Sequence, residues 1–511
     1  MATSRAQHST SQSTFPSLIL LIATFIAIIT ATRFYIVEDA FISFRYAYNL
    51  AHHGVLFFNI GDPVEGVTNL LWTVLLAVVH SLFKIPIEQA ALIFSLTFLF
   101  LTCLRLWQLG PMLGSTHLAG AMAAILLITS KDFLDAGTNG LEAPLFTFLL
   151  VQIIYYYCRD QYKLSYTFAG LLMLTRPEGL FFGLLLIALV YINTRSVQKS
   201  AVGVIIIGGI ALAVTGFRLF SYGSLLPNSV IAKSFPFQLL PGLSGKILQY
   251  VVGFVRNNLY FVIPAIAATF SLFRIRSLRE KPVEVLVFCL CGILFSFIVM
   301  VRNGTDWMLN YRLLTQYGIL YAVLFIVLLG QQRLSMIFAA AFVTLPFLLA
   351  INGFFKYPPH WIPKYDPTPY VHEAMYGDVA ARLAPVIKSS DTISAEAIGY
   401  ISYHLIDTIF HDPFGLTNAY IARYGLPVIT YGKSDFHYLV ETLKPSVMVW
   451  HYAEHMKSIS PEQRDYYESY CLGPCDNWNG FLVMIRADRK NDLGPAFSDW
   501  RIIDINEDWP K

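Results

Sequence analysis

Charged side chains are scarce in this chain: Asp, Glu, Lys and Arg make up 14% of 511 residues, against 56% hydrophobic. With a mean hydropathy of +0.55, that composition excludes a string of ordinary soluble domains and makes the lipid bilayer the main solvent and partner of the polypeptide. Charge of one sign is equally lacking. The net charge is only +3, with basic residues scattered through short loops, so there is no electrostatic footprint for a nucleic acid. Cysteine is sparse, and Cys103, Cys158, Cys289 and Cys291 lie within apolar runs. Cys471 and Cys475 form "CLGPC"; without nearby His or further Cys this is a poor zinc site, and in an oxidising compartment the pair can close a small disulfide loop.

What is abundant is apolar sequence at spanning length. After the polar stretch 1–15, read as a disordered cytoplasmic tail, the run Pro16 to Thr32 is long enough to cross a bilayer. It exceeds a usual signal-peptide core and more spans follow, which favours an uncleaved anchor. Further runs cover about Leu70–Phe83, Ala90–Trp107, His117–Ser130, Ala143–Cys158, Leu164–Thr175, Leu180–Ile192, Ala201–Phe220, Leu259–Phe273, Val283–Val301, Leu313–Leu329 and Met336–Ile351. The basic residues Arg159, Lys163, Arg195, Lys199, Arg274, Arg276, Arg279, Lys281 and Arg333 fall in alternate loops and read as cytoplasmic by the positive-inside rule. With the N-terminus inside and the C-terminus outside, the crossings must be odd in number, about 11 from the twelve candidates. The short His117–Ser130 run is expected to be broken or re-entrant, which lipid tolerates only where the backbone is buried in protein or lines a wet cavity. Past residue 352 the composition changes, and short buried strands in "DTISAEAIGYIS", "KPSVMVWH" and "FLVMIRA", with a helix in "KSDFHYLVETL", predict a soluble α/β domain over 353–511. The fold class expected is therefore mostly α: a polytopic helical domain over 16–352 followed by an extracytoplasmic α/β domain.

Polar residues concentrate in the loops assigned to the outer face. The first holds Glu38, Asp39, Arg45, Glu65 and Asn69; the others hold Glu142 in "NGLEAP", Arg176 and Glu178 in "TRPEG", Arg218, Asn228 and Lys233 in "FRLFSYGSLLPNSVIAK", and Asp306, Trp307 and Arg312 in "GTDWMLNYR". Each has a bland explanation: acids that end a helix, an Arg176–Glu178 pair, an interfacial aromatic at Trp307. Five such loops on one face, at least three with a cation, argue instead for an outward cavity that takes an anionic substrate, since guanidinium groups grip phosphate bidentately and Lys supplies a point charge. A carboxylate at the membrane face suits a base that takes a proton from a hydroxyl.

"EDAFISFRYAYNL", "PVEGVTNLLW", "GLEAPLF", "LTRPEG", "YGSLLPNSVIAK" and "GTDWMLNYRLL", in that order from Tyr35 to Leu314, resemble the GT-C superfamily of membrane glycosyltransferases. The pattern is most similar to the branch that contains the mycobacterial terminal arabinofuranosyltransferase and its bacterial relatives, with "SAEAIGYIS" and "DPFGLTNAYIARYG" resembling that branch's outer domain. The resemblance implies a polyprenyl-phosphate sugar donor, with a pentofuranose such as arabinofuranose as the sugar this branch suggests, a periplasmic glycan or glycolipid acceptor, and a bacterial inner-membrane location. It also implies a catalytic acidic pair at Glu38 and Asp39. The family usually has two aspartates there, so Asp39 is the expected base and Glu38 a support or a contact for a divalent cation; Glu396 likewise stands where relatives more often have aspartate. The reaction needs no general acid, because a phosphate leaves readily, and no cofactor; a metal is optional. A transporter or flippase for lipid-linked substrates is the rival reading. It would be expected to show inverted repeats and charges midway along spans, which the sequence lacks.

Overall fold

The computed structural model describes residues 2–32, 34–234, 240–271, 280–303, 311–330, 368–428, 432–450, 460–472 and 481–503. Two parts emerge, a helical one and a mixed α/β one, in the order the hydropathy change predicts. The helical part opens with α1 (Ala2–Ala31), α2 (Glu38–His53), α3 (Leu70–Phe83), α4 (Ile87–Met112), α5 (His117–Thr129), α6 (Lys131–Thr138), α7 (Ala143–Cys158) and α8 (Tyr162–Thr175). It continues with α9 (Gly179–Thr194), α10 (Val197–Tyr222), α11 (Asn228–Ala232), α12 (Leu240–Asn257), α13 (Leu259–Ser271), α14 (Lys281–Asn303), α15 (Arg312–Thr315) and α16 (Gly318–Gly330). The first of these starts at Ala2, so the stretch 2–15 expected to be disordered continues the helix of the apolar run.

Among the described residues, α4, α10 and most of α14 are long and apolar enough to cross a membrane, and two bent pairs, α5–α6 and α12–α13, each qualify as one broken span. Among the described residues, basic side chains of three of the loops read as cytoplasmic meet at one end. There Lys281 pairs with Asp160 at 2.8 Å, Lys199 lies over the Tyr162 ring and Arg159 donates to the Tyr155 hydroxyl.

The element expected to be broken is broken, with a turn of 74° between α5 and α6. It nevertheless runs from end to end: His117 stacks on Trp107, which donates to Ser17 at the start of the α1 apolar run, whereas Asn139, just past α6, accepts from Val37 beside α2. Among the described apolar runs, the one that stays at a single end is α3. Its first turn is tied to α2 through Asn69 and Ser43, and its last-turn His80 sits against His52 in the last turn of α2. The next helix then starts with Glu88 accepting from Tyr403 of the C-terminal part. At 14 residues α3 is no shorter than α8, so its placement and not its length sets it apart; its hydropathy reflects burial against α2 and α4 as well as exposure to lipid.

The α/β part carries α17 (Thr368–Leu383), α18 (Ile398–His404), α19 (Ala419–Tyr424) and a six-stranded mixed sheet in the order β2-β1-β5-β7-β6-β8. These strands are β1 (Thr392–Ala395), β2 (Ile409–His411), β5 (Val447–Trp450), β6 (Tyr467–Leu472), β7 (Phe481–Arg486) and β8 (Arg501–Ile503); β3 (Leu426–Val428) and β4 (Gly432–Ser434) form a separate hairpin. Strand β1 runs parallel to β2 and β5, and the remaining pairs are antiparallel. The buried runs around residues 447 and 481 form central strands as expected. "DTISAEAIGYIS" is strand only over its first half, because its second half turns into α18. The expected helix in "KSDFHYLVETL" is a π-helical turn, Tyr438–Leu443.

The two parts share a core. Ile42 and Tyr46 of α2 pack with Val379, Ile401 and Phe410, and the Phe41 ring meets Tyr400 at 4.8 Å. Lys84, exposed just beyond α3, gives a direct check on this arrangement. In a background lacking Cys158 and Cys291, Lys84→Cys should react with a membrane-impermeant maleimide from the same side as Lys490→Cys and not from the side that labels Lys163→Cys.

Candidate active site

The site lies at the end of the helical part that carries the C-terminal domain, and its centre is a chain of charge-assisted hydrogen bonds. Glu142, immediately before α7, accepts from Arg176 at 2.6 Å and from Asn69 at 2.8 Å. Asn69 also exchanges hydrogen bonds with Ser43 of α2, and Arg176 reaches Glu178 at 3.3 Å. Burial alone would raise the Glu142 carboxyl, but the Arg176 guanidinium and the Asn69 bond outweigh it and hold it below the usual carboxylate range. Burial would likewise lower Arg176; the Glu178 and Glu142 carboxylates prevail and keep it firmly charged. Arg176 Nε and Glu178 Oε2 are buried without a hydrogen-bond partner among the described residues.

Asp39, in the first turn of α2, accepts from Arg312 at 2.9 Å, and both side chains keep some solvent access. Arg312 opens the one-turn α15, preceded by Tyr311 in the left-handed region at φ 49°. It also lies within electrostatic reach of Glu142, so the acid of the first loop, the acid of "NGLEAP" and the cations of "TRPEG" and "GTDWMLNYR" do converge. Asp306 and Trp307 lie outside the described residues.

Other expected ligands are placed elsewhere. Glu38 Oε1 accepts from the backbone amides of Gly399 and Tyr400 at the start of α18. It ties the C-terminal domain to α2 instead of joining Asp39, and a Cβ on Gly399 would strike Glu38 itself. Arg45 is fully buried and donates to the carbonyls of Phe58, Ser402 and Thr408 and to Asn59; burial pulls its pKa down to about 9. It is a joint between the two parts and does not face a cavity. Asn228 similarly donates to the Gly415 and Leu416 carbonyls. Glu65 and Arg218 form a bidentate pair at 2.8 and 3.1 Å, four residues along the chain from Asn69; burial raises the Glu65 carboxyl despite Arg218. Lys233 stands half-buried just past α11. Cys471 is disulfide-bonded, and its expected partner Cys475 lies outside the described residues.

Glu38 and Asp39 therefore engage different partners, and no three His, Cys, Asp or Glu side chains gather into a metal-binding set among the described residues. Two acids went unnoticed in the sequence. Asp132 and Asp135 sit on α6, which packs against α15 next to Arg312. Asp132 accepts from Asn258 at 2.8 Å, and Asn258 accepts from Ser130 and Tyr260. The breaks of both bent helix pairs are thus joined to each other. The available signal was a pair of carboxylates three residues apart at the end of an apolar run.

The chain matches no protein-family model and no curated protein sequence. Solved structures do match. The crystal structure of ArnT from Cupriavidus metallidurans bound to undecaprenyl phosphate aligns over 92% of this chain and 98% of its own, with a TM-score of 0.54 at 10% identity. Its apo form aligns over 91% and 97%, with a TM-score of 0.53 at 11% identity. The Archaeoglobus fulgidus oligosaccharyltransferase, tethered to an acceptor peptide, aligns over 94% of this chain and 77% of its own, with a TM-score of 0.52 at 11% identity. At such identities the likeness is one of fold: a large helical part with several apolar helices followed by a C-terminal domain.

The network makes a stability prediction. Glu142→Gln leaves Arg176 facing only Glu178 and should cost about 3 kcal/mol, the low end for breaking a buried pair, read as a lower unfolding temperature in detergent. Because the folded-state pKa of Glu142 is depressed, its stabilisation is complete above its ordinary value of 4.5 and lost as pH falls through the lower folded value. The wild-type advantage over the Gln variant should shrink only below pH 4.5.

Proposed function

We propose that this protein is a membrane glycosyltransferase that moves a sugar from a polyprenyl-phosphate donor to a glycan or glycolipid acceptor, working at the outer face of a bacterial inner membrane with its C-terminal domain in the periplasm. The observation that carries this reading is the meeting of Asp39, Arg312, Glu142 and Arg176 at one end of a GT-C fold. The fold alone would not suffice, because one fold hosts many chemistries. An ArnT of the same architecture binds undecaprenyl phosphate, which supports a lipid-phosphate donor here, and the motif resemblance favours a pentofuranose such as arabinofuranose as the sugar.

In the proposed reaction an acceptor hydroxyl attacks the anomeric carbon, its proton passes to Asp39, and the bond from that carbon to the phosphate oxygen breaks as polyprenyl phosphate departs. Charge grows on the phosphate, and Arg312 and Arg176 are placed to stabilise it. Arg312 has five N–H donors in a planar fork, enough to serve a phosphate while still holding Asp39. Glu142 and Glu178 orient Arg176. Arg218 and Lys233, which the sequence also suggested for the phosphate, stand farther along the same face, Arg218 committed to Glu65. No step requires a metal, and a divalent cation bridging donor and protein remains compatible with the chemistry.

Membranes containing the protein, incubated with radiolabelled decaprenyl-phosphate arabinofuranose and an arabinan acceptor, test the reading. Asp39→Asn at unchanged protein level should lower transfer at least about 100-fold, the usual scale for a lost general base. Undiminished transfer by that variant would remove Asp39 from the mechanism.

A further inference from the structure

The most exposed apolar side chains of the C-terminal domain gather along one edge. Leu426 and Tyr424, 77% and 69% exposed, are its two most exposed large apolar side chains among the described residues. They sit together at the end of α19 and the start of β3, with Tyr420 also exposed and stacked on Tyr438 at 4.0 Å. Arg423 beside them is exposed and has no carboxylate partner among the described residues.

This edge does not stand alone. A shallow cleft is lined by Ala419 and Arg423 on one side and by Tyr222 and Leu226 on the other. Asn228 donates to the Gly415 carbonyl at 2.7 Å, fixing the loop that leads into α19. The α19 edge is therefore held beside the outer end of α10. That end is itself apolar and open: Phe220 is 93% exposed, and Leu225 and Leu226 continue the surface. With 26 residues, α10 is about 39 Å long and outruns a hydrocarbon core of about 30 Å, so its last turn reaches the headgroup level.

We propose that the Tyr424–Leu426 edge of the C-terminal domain is a membrane-contact surface, resting at the boundary between headgroups and acyl chains of the bilayer that α10 crosses. Continuity with the lipid-facing side of α10 identifies the occupant as lipid. The composition fits the same depth: Tyr rings with polar tips belong at the interface, and Arg423 is placed to reach lipid phosphates while its stem stays apolar. This contact would fix the height of the C-terminal domain above the membrane, so that a lipid-linked substrate approaches the Asp39–Arg312 end without leaving the bilayer. The inference rests on the protein spanning a membrane and not on the reaction it catalyses.

Nitroxide labels on the full chain test it, in a background with Cys158→Ser and Cys291→Ser, reconstituted in vesicles of phosphatidylcholine and phosphatidylglycerol. Collision with oxygen, which concentrates in acyl chains, is compared with collision with a water-soluble nickel chelate at Leu426→Cys, at Leu212→Cys on the exposed face of α10, and at Tyr466→Cys on another exposed part of the C-terminal domain. The expected result is an oxygen-to-nickel ratio at 426 shifted toward that of 212 and away from that of 466. A ratio at 426 equal to that at 466, with 212 lipid-like, would overturn the contact and leave a face free for a soluble partner such as a glycan. A solvent-like ratio at 212 as well would overturn the membrane reading together with the contact.

Discussion

Arg45 is a guanidinium buried at the joint of two domains with no carboxylate bonded to it among the described residues. A buried charge is tolerated only when its donors are satisfied, and here satisfaction requires both domains at once. Phe58 and Asn59 come from the helical part, Ser402 and Thr408 from the C-terminal part. Separating the domains would strand the charge, so the arrangement resists partial opening. Phe58 and Phe410 place their rings within cation–π range of the same group. The hydroxyl of Tyr46, one residue on, donates to the Val64 carbonyl and accepts from the Gly66 amide. A Cβ on Gly66 would press on both Thr417 and Tyr46, which explains glycine in "PVEGVTN".

Because α2 is clamped in this way, its first turn is a fixed platform. Adjacent residues on a helix point in different directions, and the two acids exploit that: Glu38 turns toward α18 and Asp39 toward Arg312. One acid secures the C-terminal domain while its neighbour faces the charged network, so that domain is anchored next to the proposed base. The network is also pre-paired, with Glu142 and Glu178 on Arg176 and Asp39 on Arg312. Donors held in place before substrate arrives need little reorganisation as charge develops on a leaving phosphate.

Much of this was legible in the sequence, and the failures are instructive. Hydropathy and basic-residue alternation located the spans, the break after Thr129 and the loops that gather at the site, because burial in lipid and loop charge act locally along the chain. Arg45 and Asn228 were misread because a polar residue in a loop beside glycine and aromatics looks the same whether it faces a ligand or another domain's carbonyls. Glu38 was misassigned for a related reason, since a one-residue step around a helix decides its partner. The apolar composition of α3 could not tell a helix lying beside α2 from one crossing the bilayer. Asp132 escaped notice because its partner, Asn258, is 126 residues away, in a second helix break that no local pattern announces.

The central claim, that a polyprenyl phosphate docks at the end carrying Asp39, Arg312, Glu142 and Arg176, is tested most directly by photo-crosslinking. A decaprenyl phosphate with a diazirine close to the phosphate, irradiated with the reconstituted protein and mapped by mass spectrometry, should label peptides around Glu38–Arg45, Lys131–Glu142 and Arg312–Gln316, and excess unlabelled decaprenyl phosphate should suppress the labelling. Competable labelling confined to the opposite end, around Tyr157–Tyr162 and Lys281–Glu284, would contradict the account.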